Sequence, residues 1–325
     1  MSLFKIFFKK NNNSKKIRLN DLRDKPTPKI GLIATSLRSG TWYARMFFFA
    51  FDKLLRGENP DSLQVVKEFE RQKERFYVKE TLGLDYLLMG HATCPGFKEH
   101  YKGDLLAKWN DLKFYGEGVA HEHGDKILLE YKKLFDPYYN KNSKIVYFYR
   151  NPLDQAVAAF RDMQNHKFEH LRFRYDESGQ KVPIKDAKDW IFTVGLAGYI
   201  KQFFTFKEMK KIFPENIIMI PYEHLIRNPQ KTFSDALEHF GYPIDSDDKK
   251  RKIEQGIILS SKENLKKVEE QIGRTLANSQ TIKGESQIRG GVVGKWKEHF
   301  TEEDLNKIEN KLAVFNLSLK EFIIE

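Results

Sequence analysis

The stretch from Lys29 to Phe51, KIGLIATSLRSGTWYARMFFFAF, limits the fold more than any other part of the chain. An apolar run, Ile30 to Ala34, breaks into the polar turn Thr35-Ser36-Leu37-Arg38-Ser39-Gly40-Thr41, and a second apolar run follows at once. The pattern predicts a buried strand over Lys29–Ser36 and a helix over Thr41–Leu55. Met46, Phe47, Phe48, Phe49, Ala50 and Phe51 make that helix apolar nearly all round, so it belongs inside the fold. A strand, a tight turn and a helix in this order commonly hold an anion on the helix N-terminus. Backbone N–H groups, the hydroxyls of Ser36, Ser39 and Thr41, and the charge of Arg38 all lie in the turn, and Gly40 lets the backbone approach a ligand. The glycine, four residues, then Gly-Lys-Ser/Thr of nucleotide phosphate loops is absent.

The same grammar recurs downstream. KIVYFY, Lys144 to Tyr149, reads as a second strand. In the following RNPLDQAVAAFRDM, Asn151 suits an N-cap, Pro152 the first helical position and Asp154 the first turn. Arg150 then stands at the tip of the strand. Asn216–Ile220 reads as a third strand ending in Pro221-Tyr222, and NPQKTFSDALEHFG as a helix capped by Asn228 and ended by Gly241. A long helix is expected over Ala187–Phe213, a charged helical stretch over 248–272, and a final helix over Thr301–Leu312 with Thr301 and Asp304 as capping partners. Residues 56–116 show mixed signals and no firm element.

Strands alternating with helices imply an α/β class, with a central parallel sheet flanked by helices. Ligands of such sheets bind beyond the carboxyl ends of the strands. Arg38, Arg150 and Tyr222 all follow such ends and are expected to meet in one crevice. A further loop, IRGGVVGKW, carries glycines 290, 291 and 294 beside Arg289 and can form a nest of N–H groups.

At 325 residues the chain has room for one large domain; residues 1–26 read as a basic tail and 27–325 as the folded unit. A net charge of +11 favours an anionic partner. No zinc finger, RNA-recognition signature or helix-turn-helix pattern supports nucleic acid. With Cys94 as the one cysteine no intramolecular disulfide can form, which points to a reducing, cytoplasmic setting. The tail MSLFKIFFKKNNNSKK is too short in its apolar run to span a bilayer. A weak membrane-surface contact is the alternative reading of it.

At three stations the sequence resembles the sulfotransferases that use 3′-phosphoadenosine-5′-phosphosulfate. TSLRSGTWY looks like that family's 5′-phosphosulfate loop, YFYRNPLDQAVAAF is similar to its 3′-phosphate strand and helix, and RGGVVGKWKEHFT resembles its C-terminal glycine loop. The resemblance implies a fold related to phosphate-loop kinases, the phosphosulfate as co-substrate, a hydroxyl-bearing acceptor and no metal. By the same resemblance Ser36, Arg38, Ser39, Gly40, Thr41 and Trp42 surround the 5′ end. Arg150, Ala158, Arg289, Gly290 and Gly291 fall at the 3′-phosphate, and Tyr43 and Tyr222 near adenine. Three positions depart from the pattern: Ala158 replaces a serine, Gly290 a basic residue, and Trp42 a threonine or serine. Each departure removes a side-chain contact.

Sulfuryl transfer to a hydroxyl needs a group to take the acceptor proton, and histidine suits neutral pH. VAHEHGD offers His121 and then His123, where the family keeps its catalytic histidine; Val119 replaces the family's lysine two positions before. The expectation is direct in-line transfer, with Arg38 stabilising the leaving oxygen and a carbohydrate or lipid-linked acceptor. Two other readings compete. A nucleotide-dependent kinase predicts Gly-Lys-Ser/Thr and acidic magnesium ligands. A non-catalytic module for anionic glycans or nucleic acid predicts steeply salt-dependent binding.

Overall fold

Residues 28–36, 38–72, 76–77, 82–91, 136–165, 173–175, 178, 180–276 and 291–323 are described by the computed structural model. His121, His123, Arg289, Gly290, Cys94 and the tail 1–26 lie outside them. In chain order the elements are β1 (Ile30–Thr35), α1 (Thr41–Leu55), α2 (Ser62–Gln72), β2 (Phe76–Tyr77), β3 (Tyr86–His91), β4 (Ser143–Tyr149), α3 (Pro152–Asn165), β5 (Phe173–Tyr175), β6 (Lys181–Pro183), α4 (Ala187–Trp190), α5 (Leu196–Ile212), β7 (Ile217–Pro221), α6 (Tyr222–Arg227), α7 (Pro229–His239), α8 (Asp247–Leu259), α9 (Lys262–Ile272) and α10 (Glu302–Ala313).

Five strands form one sheet in the order β2-β3-β1-β4-β7. All neighbours pair parallel except the short edge strand β2. Such a sheet must be covered on both faces, and the side chains of successive residues provide for that. Leu32, Ala34, Ile145 and Tyr147 pack with α3, α4 and α5 on one face. Ile33, Val146 and Phe148 pack with α1 and α7 on the other. Phe47, Phe48, Phe49 and Phe51 of α1 are all at most 1% exposed. Full burial of each is worth about 1.5–3 kcal/mol. Phe47 stacks on Phe233 of α7 with ring centroids 3.6 Å apart.

The register matters most for the site. Thr35 stands opposite Phe148, and Tyr149 opposite Pro221. The carboxyl ends of β1, β4 and β7 are therefore flush, and Ser36, Arg150 and Tyr222 leave the sheet side by side. A bond from the Ser36 N–H to the Phe148 carbonyl, 2.9 Å, extends the β1–β4 ladder into the turn.

Four features differ from the sequence-based expectation. The strand β3 lies inside 56–116, next to β1. The helix expected over Ala187–Phe213 contains a π-turn at Ile191–Gly195 between α4 and α5. The stretch 248–272 is two helices, because Ser261 caps a new one through the Asn264 N–H. An antiparallel ribbon of β5 and β6 stands apart from the sheet. Among the described residues no helix is long and apolar enough to cross a membrane.

Candidate functional site

The first turn is held from behind. The Ser39 hydroxyl donates to the carbonyls of Ser36, at 2.7 Å, and Phe148, at 3.0 Å. The hydroxyls of Thr35 and Thr41 meet at 2.8 Å across its base. The Gln202 side chain of α5 donates to the Thr35 carbonyl at 3.3 Å. Arg38 has φ 61°, a left-handed conformation uncommon outside glycine, and Gly40 has φ 88°. A Cβ at position 40 would come within 2.8 Å of Leu225 and 3.0 Å of Tyr222. Gly40 is also the N-cap of α1, where no side chain caps the first turn. The positive end of a fifteen-residue helix is thus left without a side chain across it.

The second turn supplies Arg150, which is only 7% exposed. Its guanidinium donates to the Arg38 carbonyl at 3.2 Å and to the Val292 carbonyl at 3.0 Å. It also lies over the Tyr222 ring, 4.8 Å from the centroid. Three loops from distant parts of the chain therefore share one side chain. Two of its five N–H donors are used in this way. Its Nε is buried without a hydrogen-bond partner, and so is the Ser36 Oγ. Buried polar atoms are normally paired, so orphaned ones at a strand-end crevice mark where a polar ligand fits. Asn151 caps α3 as expected, accepting from the Leu153 N–H at 2.8 Å.

The glycine loop is fastened by Asp154. Its carboxylate accepts from the Gly294 N–H at 2.7 Å and the Trp296 N–H at 3.1 Å. Gly291, at φ 41°, lies so close to Tyr222 that a Cβ there would sit 3.1 Å from the tyrosine hydroxyl. Trp296 is buried beyond it.

Several of the candidate side chains face elsewhere. Trp42 packs edge-on against Phe69 of α2, 5.2 Å between centroids, with Arg45 over its ring. Tyr43 meets Phe233 edge-on at 5.3 Å, and burial, with Glu263 and Tyr222 adding to it, raises its hydroxyl far above the usual range. Tyr222 is raised by burial and partly held back by Arg150. Its ring is a buried wall of the crevice, with one face already under the guanidinium. Ala158 is half-buried on α3, two turns in from Arg150. Among the described residues no group of three or more His, Cys, Asp or Glu is placed to hold a metal ion.

Sequence reasoning missed two site residues. Asp154 was read only as a favourable first-turn charge, and its partners lie 140 and 142 positions away. Glu223 went unmarked, although an acid in the first turn of a helix that follows an apolar strand is a visible signal.

Comparison with known proteins gives the same fold and a family. A family model described as the sulfotransferase domain matches residues 31–313. A flavonol sulfotransferase-like protein of Flaveria bidentis is 27% identical over 199 residues, which cover 59% of this chain and 62% of its own. A 3-alpha-hydroxysteroid sulfotransferase of Cavia porcellus is 24% identical over 170 residues, covering 50% and 53%. The chain thus matches little more than half the length of these relatives. The solved structure of mouse sulfotransferase SULT7A1 complexed with PAP aligns with a TM-score of 0.50 at 16% identity, covering 91% of this chain and 88% of that one. That likeness bears on the fold alone.

Proposed function

The chain belongs to the sulfotransferase domain family, and from that premise we propose that it moves a sulfuryl group from 3′-phosphoadenosine-5′-phosphosulfate to an acceptor hydroxyl. One observation carries the reading. Arg150 binds the carbonyls of the first turn and of the glycine loop while lying over Tyr222, so a single cation joins all three strand-end loops. A nucleotide with phosphate at both ends needs such a meeting point.

The residues present fit that co-substrate. The turn 36–43, with its left-handed backbone and uncapped helix end, suits the 5′ phosphosulfate group. The remaining donors of Arg150 suit the 3′-phosphate in a bidentate manner. Arg289, Gly290 and Gly291 complete that end, and Tyr222 borders the adenine. The bound nucleotide supplies the activated sulfuryl group. Arg38 stabilises charge on the leaving phosphate oxygen. His121, or His123 in its place, removes the acceptor proton as the acceptor oxygen takes the group in line. The scheme uses no metal and no covalent enzyme intermediate.

The relatives named for flavonols and hydroxysteroids favour a hydroxyl on an apolar ring system as the first acceptor class, ahead of carbohydrates and lipid-linked hydroxyls. A transfer screen with labelled phosphosulfate over phenols, sterols, sugars and lipid-linked hydroxyls tests the activity. Label is expected in at least one class, and its loss is expected in the base variant. Turnover kept in full by both His121→Ala and His123→Ala would remove the base assignment. A nucleotide-binding chain that labels no acceptor would remove the activity.

A further inference from the structure

Beneath the crevice lies a carboxyl group that the proposed chemistry does not use. Glu223 stands in the first turn of α6, next to Tyr222, and is 1% exposed. Neither of its oxygens has a hydrogen-bond partner. The Nε of Arg150 and the hydroxyl of Tyr199 are orphaned in the same region. An acid buried in this way is costly as an anion unless a cation compensates it. The charged and titratable groups around it come from three neighbouring elements and its own. Arg150 precedes α3 and Asp154 lies in it; Tyr149 closes β4; Tyr199 is on α5; and Tyr222 starts α6. Among the described residues Arg150 is the cation whose charge acts on the Glu223 carboxyl, with Asp154 opposing it.

We propose that Glu223 is a positioning residue for Arg150, whose carboxyl draws the guanidinium inward when ionised and releases it toward a bound phosphate when protonated. This rests on the nucleotide reading above, in which Arg150 takes the 3′-phosphate. Two facts give it direction. Burial pushes the Glu223 carboxyl above its ordinary value, opposed only in part by its own backbone N–H, the Arg150 charge and the Asn151 N–H. A phosphate brought to Arg150 adds negative charge and raises the cost of ionising Glu223 further. Binding of the nucleotide is therefore coupled to uptake of a proton from solvent by the fraction of carboxyl that is ionised in the free protein. By linkage, affinity falls as pH rises through the range where Glu223 ionises in the free protein.

The test is a calorimetric titration of the full chain and of Glu223→Gln with adenosine 3′,5′-bisphosphate over roughly pH 5 to pH 8. The ligand's own phosphate titration is common to both proteins, so the ratio of their affinities isolates the residue. The ratio is expected to shift toward Glu223→Gln by about fivefold or more from the acid to the alkaline end. A ratio that stays flat overturns the inference. Should the glutamine variant fail to fold, the wild type decides it through two buffers of different ionisation enthalpy. Proton uptake beyond that of the phosphates supports the coupling, and none overturns it. Absence of nucleotide binding at every pH removes the nucleotide reading and this inference together, whereas binding with the same pH dependence in both proteins removes the inference alone.

Discussion

The carboxyl end of the sheet and the C-terminal flank formed by α8, α9 and α10 handle their polar groups in opposite ways. On the flank α8, α9 and α10 each start under a side-chain cap: Ser246 accepts from Lys249, Ser261 from Asn264, and Thr301 from Asp304. The capping acid is satisfied too. Burial works against the Asp304 charge, yet the Lys188 ammonium at 2.6 Å and the donors of Thr301 hold its carboxyl down to about 2. At the sheet end, α1 begins on Gly40 and α6 on Pro221, neither with a side-chain cap, and Ser36, Arg150 and Glu223 bury atoms without partners. A region complete in itself contributes stability. A region left incomplete is built to be completed by something else.

Substitutions can break that contrast. The largest effect is expected from Arg150→Ala, which should weaken adenosine 3′,5′-bisphosphate binding about a hundredfold, near 2.7 kcal/mol. The melting temperature should move much less, because the two carbonyls it releases belong to Arg38, half-buried, and Val292, exposed, where water can replace it, and Glu223 can take up a proton once its cation is gone. Calorimetry beside a thermal melt reads both. A variant that melts early but binds normally would make Arg150 part of the scaffold.

Asp154→Ala comes next and should fall between the two regions. It strands the buried Trp296 N–H and the part-buried Gly294 N–H, a cost of about 2–3 kcal/mol. The loosened glycine loop should also weaken nucleotide binding about tenfold. Urea unfolding and titration together check it, and unchanged binding would separate the loop from the site. Thr301→Ala is the smallest and sharpest control. It should cost about 1 kcal/mol of stability in the same unfolding assay and leave nucleotide affinity untouched. A change in affinity there would erase the distinction between flank and crevice.

How much of this was legible in the sequence follows from how local each feature is. The turn after β1, the cap at Asn151 and the capping pair at Thr301 are read from neighbours in the chain, and they stand where the pattern placed them. The strand Tyr86–His91 escaped because a strand buried on both faces shows no alternation, and its flanks are charged and irregular. The break at Ser260-Ser261 was readable as a cap but was masked by the charged, helix-favouring stretches before and after it. Convergence of Arg38, Arg150 and Tyr222 could be argued from the strand-end rule. The particular bonds could not, since Arg150 reaches carbonyls 112 and 142 positions away. The tasks of Asp154 and Glu223 depend on those same long-range approaches.

Hydrogen exchange of the backbone amides, with and without adenosine 3′,5′-bisphosphate, tests most directly whether one ligand completes the sheet end. Slowed exchange is predicted together in 36–43, 150–154 and 291–296, with Glu302–Ala313 unchanged. Protection confined to one of the three segments, or absent from all of them at saturating nucleotide, would contradict it.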